Sequence, residues 1–98
     1  MLHTVNKSSF ERNSLQSCVN IIDDSSVILL IEDGVISATN NTQSSIVSDL
    51  ASQGRVYVLQ GDLEARGISS KVADNIQVVD YAGFVDLVVE HGTPVSWV

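Results

Sequence analysis

The side chain in this sequence with the clearest chemical potential is its only thiol. Cys18 is the one cysteine among 98 residues, and a cysteine becomes a nucleophile when its thiolate is stabilised. That stabilisation needs a helix N-terminus or a neighbouring cation, whereas Arg12 lies six residues earlier. Cys18 therefore has two interpretations, a small apolar residue packed in the core or a reactive thiol, and its spacing argues weakly against the second.

Two histidines, His3 and His91, lie too far apart in the sequence to form a usual metal-ligand pair, and a single cysteine excludes a multi-cysteine site. His3 falls within a predicted strand, where a hydrogen-bonded, partly buried imidazole is the favoured interpretation. His91 falls at the end of a predicted helix, where a protonated imidazole would interact favourably with the helix dipole. We find no nucleophile elbow and expect neither a metal site nor a hydrolase triad.

Polar residues at the strand ends are the other candidates, because ligands of open parallel α/β sheets bind outside the carboxyl ends of the strands. None of these ends carries a phosphate-binding GxGxxG or GxxxxGK[ST] pattern, so we expect no nucleotide cofactor. Asp33 followed by Gly34 is typical of a turn that ends a strand, with a polar site as the alternative. Asp23 and Asp24 precede a strand and are interpreted as a solvated turn. The ends considered are Asn6–Ser9, Glu32–Gly34, Gln60–Asp62 and Asp80.

Five apolar segments that alternate with helical patterns must position these residues. The segment Val27–Ile31 is apolar throughout, so as a strand it belongs in the middle of a sheet covered on both faces. Strands separated by helices require crossover connections and hence a mostly parallel sheet. We predict an α/β fold, a three-layer domain with a central sheet of about five strands flanked by helices. The predicted strands are Leu2–Val5, Val27–Ile31, Val56–Leu59, Ile76–Val79 and Val95–Val98.

The helical segments follow from apolar residues spaced three and four apart, with caps at their ends. Cys18 lies in the apolar stripe of the first of them. Gly54 is predicted to end the second long helix, Asp80 to cap the start of the last helix, and Gly92 to end it. The predicted segments are Phe10–Ile22, Val35–Thr39, Thr42 or Ser44 to Gln53, Gly61–Gly67, and Asp80 to Gly92.

The charge balance narrows the classes of function. Five Lys and Arg against twelve Asp and Glu leave a net charge of −7, which disfavours direct binding to nucleic acid or to an anionic membrane. The 44% hydrophobic and 17% charged residues argue against disorder. They also leave apolar side chains at the surface, as at subunit interfaces. No apolar run approaches the ~18 residues of a membrane span, so a cytoplasmic protein is expected.

Four segments carry a family resemblance: MLHTVNKSSFERNSL, ILLIEDGV, VYVLQGDLEARG and VVDYAGFVDLVVEHGTPVSW. Together they resemble the DsrH/TusB family, in the same order and over nearly the whole chain. We expect residues 1–98 to form a single domain of this family. An unrelated alternative, a free-standing flavodoxin-like module that binds a small ligand, is the weakest interpretation, because the phosphate loop is missing.

The resemblance implies a subunit of a cytoplasmic sulfurtransferase complex, a sulfur relay in which persulfide sulfur passes between cysteines. The implied partners are DsrE/TusD-like and DsrF/TusC-like sister subunits, in a hexamer with two copies of each, and a small DsrC/TusE-like sulfur carrier. The main carrier cysteine belongs to the DsrE/TusD-like sister. The subunit by itself needs neither cofactor nor metal under this interpretation, and any contact with tRNA would be made by its partners.

Two destinations for the sulfur remain open under this resemblance. A cysteine at the place of Cys18 is typical of the branch that serves dissimilatory sulfur oxidation, and the opening HTVNKSSFERNSL and the closing DYAGFVDL also resemble that branch. That branch is the favoured interpretation, with Cys18 as the candidate sulfur carrier. The alternative is a TusB-type subunit for 2-thiolation of the wobble uridine of tRNA, with a mainly structural role and no catalytic cysteine of its own.

Overall fold

A single parallel sheet organises the protein. The computed structural model describes residues 1–39 and 44–98, and within them five strands pair in the order β4-β3-β2-β1-β5, each parallel to its neighbours. The predicted α/β fold with a mostly parallel sheet flanked by helices is confirmed. The strands are β1 (Leu2–Val5), β2 (Val27–Leu30), β3 (Val56–Leu59), β4 (Gln77–Val79) and β5 (Val95–Trp97).

Helices of unequal length connect the strands. Over residues 1–39 and 44–98, three 3₁₀ helices supplement the α-helices, namely Glu32–Ala38, Ser44–Ile46 and Ser69–Lys71. The α-helices in the described part of the chain are α1 (Ser14–Ile21), α2 (Ser48–Ser52), α3 (Gln60–Ala65) and α4 (Tyr81–His91).

The two faces of the sheet are covered differently. One face packs against α1, α2, α3 and the first 3₁₀ helix, whose buried side chains form one cluster with those of β1, β2 and β3. The other face packs against α4, which contributes Leu87 to a smaller cluster with Leu2 and Leu29. All four residues of β2 are buried, as predicted for a central strand. The predicted three-layer arrangement is therefore present, with a thin outer layer on the α4 side.

The strand order changes direction at β1. The first three crossovers each lead to the adjacent strand, whereas the chain leaving β4 crosses the sheet to β5, on the free side of β1. The carboxyl ends of β1 and β5 therefore lie side by side at a topological switch point, the usual position of ligand crevices in open α/β sheets.

The predicted start of the first helix at Phe10 is wrong, because a turn replaces its first residues. The carbonyl oxygen of Ser8 accepts hydrogen bonds from the backbone N–H groups of Glu11 and Arg12, both at 2.9 Å. Its side-chain Oγ accepts one from the N–H of Phe10 at 3.2 Å. The local turn satisfies these donors, and α1 begins only at Ser14.

The second predicted helix is two short helices. The 3₁₀ helix Ser44–Ile46 and α2 replace one continuous helix up to Gln53, while the predicted start at Thr42 lies outside the described residues. Three other predicted ends hold. Gly54 adopts a φ of +72° after α2, Asp80 Oδ1 accepts the N–H of Gly83 at 2.8 Å, and Gly92 follows the last residue of α4.

Candidate functional site

The switch point brings the end of β1 against the end of β5. The N–H of Asn6 donates to the carbonyl oxygen of Trp97 at 3.3 Å, which extends the pairing of the two strands by one residue. The side-chain Oδ1 of Asn6 is buried without a hydrogen-bond partner. This end of the sheet therefore holds a buried hydrogen-bond acceptor without a partner, and native structures contain only a few such groups.

A tight turn follows β2 at the same edge. Glu32 is a non-glycine residue in the left-handed region, with a φ of +49°, and its N–H donates to Asp62 Oδ2 at 2.6 Å. Gly34 packs directly on β1, since a Cβ at this position would lie 2.1 Å from the carbonyl oxygen of Val5. Asp33 and Gly34 thus end the strand as the sequence indicates, but they do so within the first turn of the 3₁₀ helix Glu32–Ala38. Only glycine fits the closest approach to β1.

An ion pair holds α3 against this turn. Asp33 Oδ1 accepts from Arg66 Nη2 at 2.8 Å and from Arg66 Nε at 3.1 Å, while Arg66 Nη1 donates to the carbonyl oxygen of Asp62 at 3.2 Å. Both partners are partly exposed, at 29% for Arg66 and 47% for Asp33, so the pair stabilises the fold by ~1 kcal/mol at most. Each of the three guanidinium nitrogens of Arg66 donates one hydrogen bond to Asp33 or Asp62, so the ion pair positions α3 against the turn.

Neither Arg66 nor its contact with Asp33 was singled out from the sequence. The two residues are 33 positions apart, and no local pattern joins them. The only available signal was the i, i+4 spacing of Asp62 and Arg66, which places them on one side of a helix.

The thiol of Cys18 lies on the inner side of α1. Cys18 is fully buried in the cluster that includes Val5 and Leu15, and it lies in the middle of an eight-residue helix with no basic residue in its last turn. Burial raises the pKa of Cys18 to about 11 from its usual 9.0, because the thiolate would lose its hydration. About one thiol in ten thousand is then ionised at pH 7. The geometry is that of a packed apolar side chain.

The two histidines occupy separate environments. His3 is buried in β1, where its Nδ1 accepts a hydrogen bond from Trp97 Nε1 at 3.1 Å, which fixes a neutral tautomer with the proton on Nε2. Burial, then the nearby N-terminal charge, lowers the pKa of His3. His91 lies in the last turn of α4, with its Nε2 3.8 Å from Glu90. The burial and hydrogen bond of His3 confirm the interpretation made from the sequence. His91 lies in the predicted last turn of the helix, and its interaction with the helix dipole stays a prediction.

The acidic pair before β2 forms a hydrogen-bonded turn. Asp23 Oδ1 accepts from the N–H of Ser25 at 3.1 Å and from Ser26 Oγ at 2.5 Å. The hydrogen bond from Ser26 is the main reason why the pKa of Asp23 is lowered. Arg55 also joins this turn to β3, donating from Nε to the carbonyl oxygen of Ser26 at 2.8 Å and from Nη2 to that of Asp23. Asp23 therefore has a structural role.

The described residues hold no group of three or more His, Cys, Asp or Glu side chains that could bind a metal ion. Among the same residues, no helix is both long enough and apolar enough to cross a membrane.

The chain is similar to a known protein family over most of its length. A family model described as "DsrH like protein" matches residues 7–93. The chain is 37% identical over 100 residues to Protein TusB of Photorhabdus laumondii and 36% identical over 97 residues to that of Pectobacterium parmentieri, covering 99% of this chain and all of each relative.

A solved structure supports the fold. A protein of unknown function from Methanobacterium thermoautotrophicum matches with a TM-score of 0.68 over 97% of this chain and 95% of its own, at 21% identity. The family match and the full-length relatives show that this chain belongs to the DsrH/TusB family.

Proposed function

We propose that this chain is a TusB-type subunit of a cytoplasmic sulfur-relay complex that supplies sulfur for 2-thiolation of the wobble uridine of tRNA. Its role is mainly structural, and persulfide sulfur is held by cysteines of its sister subunits. The full-length relatives named TusB support this destination better than sulfur oxidation. The sulfur-oxidation assignment stays a prediction that rests on the opening residues and on the place of Cys18.

The burial of Cys18 is the observation that carries the proposal. A thiol that accepts persulfide sulfur must be ionised and accessible to the sulfur it attacks. Cys18 has neither property, since it is fully buried and its pKa is raised to about 11. No other cysteine in the chain could replace it. The carrier role of Cys18 would require α1 to open or to be displaced by a partner.

The partners under this proposal are TusD-like and TusC-like sister subunits, in the hexamer that the resemblance implies, together with a TusE-like carrier. The net charge of −7 supports a division of labour in which other chains contact tRNA. The contribution of this chain is then to complete the assembly.

A strain carrying Cys18→Ala in place of the wild-type chain tests the proposal, with the 2-thiouridine content of tRNA measured by mass spectrometry. We expect thiolation to be lost on deletion of the chain and to stay within about twofold of wild type in the variant, because alanine preserves the apolar packing. Thiolation that survives the deletion would remove tRNA as the destination. Loss of thiolation in Cys18→Ala, with the variant chain present at the wild-type level, would assign the sulfur to Cys18.

The sulfur-oxidation alternative has its own outcome in the same strains. If the deletion abolishes oxidation of reduced sulfur compounds and leaves 2-thiouridine unchanged, the complex belongs to the other branch. The variant Cys18→Ala would then show whether that branch uses the thiol.

A further inference from the structure

The last helix exposes more apolar surface than its packing requires. Tyr81, Val85 and Val89 are 73%, 43% and 80% exposed. Their i, i+4, i+8 spacing places them in one row along α4, which we call the outer row. A surface helix normally carries a single apolar stripe that faces the core, and Leu87 already supplies that contact for α4. The outer row is therefore a second apolar stripe that points to solvent.

The outer row borders a shallow groove. Together with Phe84 and Val88, it lines a depression of about 230 Å³ on the surface of α4. The rings of Tyr81 and Phe84 meet edge to face with centroids 6.1 Å apart, which forms one wall of the groove. Contiguous apolar surface of this kind marks protein interfaces, whereas single exposed apolar side chains do not.

Acidic side chains run along one edge of the outer row. Asp86 and Glu90 are exposed, and each directly follows a residue of the row. Two like charges at i and i+4 destabilise a helix, and the contact of Glu90 with His91 Nε2, at 3.8 Å, offsets this only when His91 is protonated. A cation from another chain would relieve the repulsion. The charge pattern thus favours a partner with lysine or arginine at the edge of its contact surface.

A second copy of this chain fits the pattern poorly. In a twofold contact the same patch is present on both sides, so an interface built from two antiparallel α4 helices would bring both pairs of Asp86 and Glu90 together. Like charges in one interface suppress such pairing, and the chain has a net charge of −7.

We infer that the outer row of α4 is a docking surface for a different protein chain, one whose contact surface is apolar at its centre and has lysine or arginine at its edge. This inference rests on the proposed function in one respect, since it takes that chain to be a sister subunit of the relay complex. Val88 is only partly exposed and packs against the Leu87 cluster, so Val89 is the better probe.

The test uses this chain co-expressed with the TusC-like and TusD-like chains of its own organism. Complex formation is followed by light scattering, and affinity by titration of the separated subunits. We expect Val89→Asp to weaken assembly by roughly tenfold or more. The matched control is Ile21→Asp, which places the same charge at a similarly exposed position, 68%, on α1 at the other face of the sheet. We expect the control to assemble like wild type.

A charge-reversal variant separates the docking surface from any effect on folding. Asp86→Lys with Glu90→Lys changes exposed carboxylates and no apolar packing, and we expect it to weaken assembly and to reverse the salt dependence of the affinity. Wild-type assembly by both Val89→Asp and the charge-reversal variant would overturn the docking surface and leave the proposed function intact. Failure of the wild-type chain to join its sister chains would overturn the proposed function as well. Self-association of the isolated chain that Val89→Asp abolishes would replace the sister subunit by a second copy.

Discussion

Native-state reactivity of Cys18 is the property that the structure predicts most quantitatively. A pKa raised from 9.0 to about 11 lowers the thiolate fraction about a hundredfold at any pH well below 9. The remaining thiolate is intrinsically about tenfold more nucleophilic, since reactivity rises with pKa with a Brønsted slope of ~0.4–0.5. Ionisation alone therefore slows the native thiol about tenfold relative to the unfolded chain.

Burial adds a second and larger factor. Because Cys18 is fully buried, an aromatic disulfide reagent can reach it only when α1 opens. A local opening that costs about 3 kcal/mol occurs in roughly one molecule in 150. We therefore expect the native thiol to react with such a reagent at least a hundredfold more slowly than the same thiol in concentrated urea. The protection should decrease steadily as urea is added.

A cysteine moved to the surface of the same helix provides the control. Asn20 is exposed on α1, so Asn20→Cys in a Cys18→Ala background should react at nearly the unfolded rate. The reasoning is refuted if native Cys18 reacts within tenfold of the unfolded chain. Ionisation would then account for all the protection, and the thiol would be accessible in the native state.

Three further predictions concern the framework. Gly34→Ala should destabilise the fold by about 3 kcal/mol, because the added Cβ would lie 2.1 Å from the carbonyl oxygen of Val5 in β1. Gly61→Ala is the control and should be neutral or stabilising, since no atom lies within 4 Å of its added Cβ. Urea unfolding of both variants measures the difference in free energy of unfolding. Asp80→Ala should lower the free energy of unfolding by about 1 kcal/mol, because it removes the N-terminal cap of α4. The control Asp24→Ala, at an exposed position, should lower it by less than ~0.5 kcal/mol in the same thermal unfolding experiment. Equal losses in the two variants would contradict the capping role of Asp80. Because the pKa of His3 is lowered in the folded protein, the unfolded chain binds a proton more readily than the folded one. The protein should therefore lose stability as the pH falls below 6.5. Urea unfolding on either side of this pH should show the loss in the wild type and not in His3→Phe.

The sequence predicted strands well where apolar runs are short and sharply bounded. Leu2–Val5 and Val56–Leu59 are observed with the predicted bounds. The start of α1 was missed because the hydrogen bonds of Ser8 form a turn that competes with the helix, and an apolar periodicity does not report such competition.

The tertiary features of the candidate site could not be predicted in this way. The positive φ of Glu32 and the contact of Arg66 with Asp33 depend on how the end of β2 meets α3. The sequence placed Cys18 on the apolar face of α1, and the structure adds that this face is fully buried. The outer row of α4 was visible in the sequence only as an excess of apolar residues.

The location of sulfur in the loaded complex is the most direct test of the central claim that this subunit assembles the relay without carrying sulfur. The complex of this chain with its TusC-like and TusD-like partners would be incubated with a persulfide donor, and the intact mass of each subunit measured without reductant. We predict that a sister subunit gains the mass of a sulfur atom and that this chain keeps its unmodified mass. A gain of one sulfur atom on this chain, absent in Cys18→Ala, would contradict the account.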